Sequence, residues 1–92
     1  MAITVRIPTP LRKLTNEQDT LVAEHNGTLA GLIDLLEGDY PGLKERLCDE
    51  TGELRRFVNV YVNGEDVRFL SGLGTKLEAG AEVSIVPAVA GG

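Results

Sequence analysis

The sequence predicts an α+β fold, a mixed sheet of four to five strands curled over one main helix. Three observations carry that expectation. Apolar residues recur with period two at Ile3, Val5 and Ile7, at Val58, Val60 and Val62, and at Val83 and Ile85, as in strands with one buried face. Leu29, Leu32, Ile33 and Leu36 fall at i, i+3, i+4 and i+7, the single stripe of an amphipathic helix. Asn63-Gly64 follows a run of valines and is the strongest short hairpin signal in the chain. A sheet with all strands parallel would need more crossover helices than one, so the strands are expected to be mixed.

The elements follow in order. The first strand covers Ile3, Val5 and Ile7 and is ended by Pro8 and Pro10, which cannot donate to a ladder. Leu11 to Asn16 reads as a turn-rich connection, and Thr20–Glu24 as a second strand pairing antiparallel with the first. His25-Asn26-Gly27 is a turn cluster, after which Thr28 is placed as the N-cap of the helix. Gly38 is expected to end that helix in a left-handed conformation. Within the less regular stretch from Asp39 to Arg56, Leu43 and Leu47 share a short helical face. Phe57–Val62 reads as a strand, Val67–Phe69 as a short strand after the Asn63-Gly64 turn, and Leu77 as the start of a turn through Ala79-Gly80. Glu82–Val86 is the last strand, stopped by Pro87. The expected organisation is one domain over residues 1–86 and an extended tail over residues 87–92.

Composition bounds the function. Ninety-two residues fit one small domain, and 42% hydrophobic with 25% charged residues is an ordinary folded composition. No apolar run approaches the roughly 20 residues that span a bilayer, and no basic-then-apolar leader opens the sequence, so a cytoplasmic location is expected. Nine Lys and Arg against fourteen Asp and Glu give a net charge of −5, the wrong sign for a counterion-releasing grip on nucleic acid. Cys48 is the only cysteine, which excludes an internal disulfide and a cysteine-built zinc or iron–sulfur site.

Catalytic chemistry finds little purchase. His25 is the only histidine and reads as an exposed turn residue, since a general base needs a partner and a pocket. Cys48 reads as a small buried hydrophobe, with nothing near it in sequence to lower its pKa. Asp34, Glu37, Asp39, Asp49 and Glu50 lack the spacing of a calcium loop and read as a solvated acidic face; no metal is expected. Gly72 and Gly74 begin something like a dinucleotide fingerprint, but Leu77 holds the third glycine's place. Arg55, Arg56 and Arg68 are expected to gather at one end of the sheet, solvated or docking an acidic partner.

What remains is Pro87-Ala88-Val89-Ala90-Gly91-Gly92. It leaves directly from a terminal strand and carries neither charge nor bulk. Six extended residues reach about 20 Å. Without Cβ atoms, Gly91-Gly92 can enter a narrow channel. Such a tail suits delivery of its terminal carboxylate into another protein's active site, with the carrier's own side chains doing no catalysis. By strand alternation Phe57, Tyr61 and Val86 point away from the valines that face the helix, forming an apolar docking patch beside the tail.

The ending Val-Ser-Ile-Val-Pro-Ala-Val-Ala-Gly-Gly, residues 83–92, resembles the C-terminal motif of the ubiquitin-like sulfur carriers of the MoaD/ThiS family. The order of strands and helix is similar to the β-grasp fold, and the resemblance covers essentially the whole chain. Residues 56–69 are most similar to the branch that feeds a cysteine synthase, and less to the small subunit of molybdopterin synthase, which shares the terminal Val-Ala-Gly-Gly. The resemblance implies a carrier, not an enzyme, that binds no cofactor of its own. An E1-like adenylyltransferase of the MoeB/ThiF type would use MgATP to convert the Gly92 carboxylate into an acyl-adenylate, and sulfur would then replace AMP to leave a thiocarboxylate. In the cysteine branch that sulfur would attack an aminoacrylate held by the pyridoxal phosphate of a cysteine synthase, and a metalloprotease would release cysteine. In the molybdopterin branch it would pass to a pterin precursor in the large subunit of molybdopterin synthase. Two further readings stay open: a modifier whose Gly92 is joined to lysines of target proteins, and a plain interaction module.

Overall fold

The first apolar alternation becomes β1 (Ala2–Arg6), with Ile3 and Val5 fully buried, and Thr20–Glu24 becomes β2 with the bounds the sequence predicts. The two pair antiparallel, Val5 opposite Leu21. The computed structural model describes residues 2–25 and 27–87. The connection between β1 and β2 is more regular than a turn. It is a 3-10 helix, Thr9–Leu14, followed by the fully buried Thr15, whose hydroxyl donates to the Gln18 carbonyl at 2.9 Å.

A two-residue strand, β3 (Gly27–Thr28), leads into α1 (Leu29–Asp39). Thr28 is the N-cap: its hydroxyl accepts the Gly31 N–H at 3.3 Å, satisfying one of the orphan donors of the first turn. Leu29, Leu32, Ile33 and Leu36 are all buried, as the stripe requires. Gly38, however, does not end α1. It lies inside the helix, which closes with the Tyr40 N–H on the Leu36 carbonyl at 2.7 Å, and the left-handed residue comes at Gly42 (φ 100°). The delay has a cause in Glu37. Its carboxylate reaches forward to accept the N–H of Gly42 at 3.1 Å and of Lys44 at 2.8 Å, joining α1 to the start of α2 (Leu43–Leu47). Leu43 and Leu47 are buried on the shared face.

β4 (Val58–Val62) buries Val58, Val60 and Val62, while Phe57 lies in the turn before it. Asn63 and Gly64 both take positive φ, 52° and 88°, the pattern of a two-residue type I′ turn. β5 (Glu65–Asp66) follows at once, with Val62 opposite Glu65. Val67–Phe69 is therefore not a strand but a 3-10 helix, because the Asp66 side chain caps it by accepting the Arg68 N–H at 2.9 Å. Nor does Leu77 begin a turn. It is buried in β6 (Lys76–Leu77), antiparallel to β3, with Gly27 opposite it.

The last element is β7 (Glu82–Pro87). The main sheet runs β2-β1-β7-β4-β5, so the final strand is the central one, parallel to β1 and antiparallel to β4. Val83 and Ile85 join Val5, Val60 and the α1 stripe in one core on the helical side. Pro87 closes β7 opposite Val58. The Asn63 N–H donates to the Glu82 carbonyl at 2.8 Å, which makes 63 and 82 a bonded pair. Counting by twos, Val58 and Pro87 form a pair that exchanges no hydrogen bonds, so the missing N–H of Pro87 costs the β4 ladder nothing.

Two outcomes follow from this architecture. Gly64→Ala forces a Cβ into a left-handed conformation and should lower unfolding free energy by about 1–2 kcal/mol, read from the denaturant midpoint. The two backbone N–H bonds hold the Glu37 carboxyl below its ordinary value. Its stabilising effect is therefore complete above the ordinary glutamate value of about 4.3 and is lost as pH falls through the lower folded value. Glu37→Gln should lower the melting temperature at neutral pH and flatten the acid limb of the stability–pH curve.

Candidate functional site at the C-terminal strand

Because β7 alternates Val83 and Ile85 inward, it turns Glu82, Ser84 and Val86 to the outer face of the sheet, where Asn59 and Tyr61 of β4 lie beside them. Asn59 is opposite Val86, and Tyr61 opposite Ser84. Val86 is 43% exposed and Phe57, just before β4, is 55% exposed; Tyr61 is half-buried. The structure thus places Phe57, Tyr61 and Val86 at the β4–β7 end of the outer face. Pro87, with which the expected tail begins, is the last residue of β7, while Ala88, Val89, Ala90, Gly91 and Gly92 lie outside the described residues.

The start of β7 is fixed from two sides. Asn63 Oδ1 accepts the Glu82 N–H at 2.9 Å, and the Glu82 carboxylate pairs with Arg6 of β1 at 3.1 Å. That guanidinium holds the Glu82 carboxyl below its usual range. The far end is fixed through Arg68, whose guanidinium donates to the Val58 carbonyl at 2.7 Å, the Arg55 carbonyl at 2.9 Å and Asn59 Oδ1 at 2.6 Å. Arg68 is thus occupied in tying the 3-10 helix after β5 to the start of β4, directly opposite Pro87. Arg55 in turn donates from Nε to the Glu45 carbonyl at 2.8 Å. Two members of the expected basic cluster therefore spend their guanidinium donors on backbone carbonyls, a role the spacing of charges alone did not reveal.

Sequence reasoning also passed over Phe69 and Leu70, which are 88% and 43% exposed beyond this clamp. The signal was present in Asp66, whose side chain can accept the backbone N–H two residues on and so favour a capped turn over a strand.

The other reactive candidates sit elsewhere. His25 is half-buried over the helix start, and its Nε2 carries the proton it donates to the Thr28 carbonyl at 3.0 Å. A Cβ on Gly31 would stand 3.0 Å from the His25 ring, so a larger residue there requires the imidazole to shift by a few tenths of an ångström. Cys48 is buried after α2, and burial pushes its thiol pKa up, away from the thiolate. Among the described residues no three His, Cys, Asp or Glu side chains gather as a metal site, and no helix is long and apolar enough to cross a membrane.

Five strands over one main helix, with the terminal strand at the centre, define a ubiquitin-like β-grasp protein. The chain belongs to the ThiS family, which its residues 5–92 match. The sulfur carrier protein CysO of Mycobacterium tuberculosis is 51% identical over 94 residues, covering all of both chains. A chain of the Amycolatopsis orientalis BexX/CysO complex superposes with a TM-score of 0.91 at 46% identity, over 99% of this chain and 100% of that one. Small archaeal modifier protein 3 of Haloferax volcanii is 41% identical over 69 residues, 75% of this chain and 74% of that protein. The likeness to CysO-type carriers that residues 56–69 suggest thus extends over the full length.

The Arg68 clamp makes a measurable prediction. Arg68→Ala removes three charge-assisted bonds at an exposed site and should cost about 1–2 kcal/mol in chemical denaturation. Arg68→Lys should recover little of it, because an ammonium cannot span the same three acceptors.

Proposed function

We propose that this protein is a sulfur carrier for cysteine biosynthesis, bearing its cargo as a thiocarboxylate on Gly92. The observation that supports this reading most is the full-length 51% identity to CysO, combined with a C-terminal Gly-Gly only a few residues beyond a central, well-fixed strand. The chain acts as a co-substrate and supplies no catalytic group of its own.

The chemistry divides between partners. An E1-like adenylyltransferase binds MgATP; the Gly92 carboxylate attacks the α-phosphorus, pyrophosphate leaves, and the acyl-adenylate forms. A sulfur nucleophile then displaces AMP at the carbonyl carbon. The thiocarboxylate is anionic at neutral pH and a better nucleophile than the carboxylate, by the reasoning that makes thiolates reactive. A pyridoxal-phosphate-dependent cysteine synthase supplies an electrophilic alkene carbon to which the sulfur adds, and a metalloprotease hydrolyses the resulting link, returning the carboxylate. Residues 1–87 serve as the docking body, since Pro87 is still paired in β7. Phe57, Tyr61 and Val86 contact the partner while Ala88, Val89, Ala90, Gly91 and Gly92 enter its active site, Pro87 staying in the strand. The molybdopterin pathway is the weaker reading, since CysO is 51% identical over the full length whereas a putative molybdopterin converting factor of similar fold is 22% identical. A second reading, conjugation of Gly92 to lysines, is favoured by the likeness to an archaeal modifier and uses the same activation step.

Intact-mass analysis after incubation with the cognate activating enzyme, MgATP and a sulfur source should show a gain of about 16 Da, oxygen replaced by sulfur, at the terminus. Deleting Gly91-Gly92 should leave folding unchanged and abolish the gain; Phe57→Asp should fold and slow it. An unmodified mass throughout would defeat the carrier reading, and isopeptide-linked products on lysines would favour the modifier.

A further inference from the structure

The turn between β4 and β5 is reactive as well as tight. Asn63 is followed by Gly64, and both are exposed at the tip of the hairpin. Glycine leaves its own backbone nitrogen unshielded: a Cβ built on Gly64 would meet nothing within 4 Å. That nitrogen can attack the side-chain carbonyl carbon of Asn63. The new N–Cγ bond closes a five-membered succinimide, the Cγ–Nδ2 bond breaks, and Nδ2 leaves as ammonia, taking the Gly64 N–H proton with it. Water then opens the ring at either carbonyl. It gives aspartate where the bond to Cγ breaks and isoaspartate where the original main-chain bond breaks. Asn16 and Asn59 precede Glu17 and Val60, whose side chains hinder the same attack.

The folded hairpin holds Asn63 away from this reaction in two ways. Its φ of 52° belongs to the first central position of a type I′ turn, where ψ is about 30°. At that angle the Gly64 nitrogen lies nearly opposite Cβ across the Cα–C bond, whereas ring closure needs the two nearly eclipsed. The carboxamide is also tied down, because Oδ1 accepts the Glu82 N–H at 2.9 Å, a bond to the first residue of the central strand β7. Attack therefore requires the turn to open and the carboxamide to leave β7. The two products then differ. Aspartate keeps an oxygen acceptor for the Glu82 N–H. Isoaspartate carries the main chain through the former side chain and lengthens the turn by one carbon, so the loop no longer sets Val62 opposite Glu65.

We propose that Asn63-Gly64 is a deamidation site held closed by β7, and that isoaspartate at position 63 is a lasting mark on chains whose final strand has come away from the hairpin. The reaction consumes only water and releases only ammonia. It does not depend on Gly92, so its failure would leave the carrier reading untouched.

The test is peptide mapping by mass spectrometry of the full-length chain held at mildly alkaline pH, where each event adds about 1 Da as NH gives way to O. The digest separates Asn63 from Asn26-Gly27, the other pair of this type. Reaction at Asn63 should be at least about tenfold slower than in the free peptide acetyl-Val-Tyr-Val-Asn-Gly-Glu-Asp-Val-amide, which has the sequence of residues 60–67 and no β7 to hold it. Urea below the unfolding transition should narrow that gap progressively, with no variant needed. Val83→Ala, which loosens β7 at a buried side chain, should raise the rate about tenfold in the folded chain. In the purified isoaspartyl product the Glu82 and Val83 amide hydrogens should exchange at least about tenfold faster than in the aspartyl product. A rate equal to that of the free peptide, a rate indifferent to urea, no reaction at Asn63 in chain or peptide, or equal exchange in the two products would each overturn the proposal.

Discussion

The parallel pairing of β1 with β7 is the constraint on which the rest of the molecule depends. It brings the first and last strands together at the centre of the sheet, with Val5 beside Val83, and so closes the core over α1. Parallel neighbours cannot be joined by a tight turn. Everything between them, α1, α2, the β4–β5 hairpin and the short 3-10 helices, is the crossover that makes the pairing possible. The ties at both ends of β7 follow from the same requirement. Asn63 and Arg6 hold its start, and the Arg68 clamp orders the β4 end that faces Pro87.

This arrangement explains why the molecule holds so little chemistry in its body. Its one histidine spends a ring N–H on the Thr28 carbonyl, and its one thiol is buried with a raised pKa. What the sheet offers instead is a firm platform and a fixed point of departure for the residues after Pro87. That division is in keeping with the sulfur carrier proteins that the chain resembles.

Local chemistry was legible in the sequence, and long-range chemistry was not. β2, the Thr28 cap, the Leu29–Leu36 stripe and the Asn63-Gly64 turn are each specified by neighbours within a few residues, and each stands where the sequence puts it. Gly38 misled because a glycine near a helix end usually terminates it, whereas Glu37 binds N–H groups five and seven residues ahead and keeps the helix going. Leu77 looked like a turn residue because its partner, Gly27, is fifty residues away in sequence. Arg68 looked like surface charge because its three acceptors belong to a segment nine to thirteen residues earlier. The outer face around Phe57 and Val86 lay between these extremes. Alternation anticipated the exposure of Phe57 and Val86, but that of Phe69 accompanies an Asp66 cap that makes Val67–Phe69 a 3-10 helix.

The central position of β7 also bears on how the molecule is made. A polypeptide that has emerged only as far as Gly80 holds β1 and β4 with facing edges and nothing to insert between them. Val5 and Val60 then have no Val83 or Ile85 to pack against. The sheet therefore closes only once β7, through Ile85, is available to insert between β1 and β4. Copies truncated before β7 lack the strand that completes this core and are open to proteolysis.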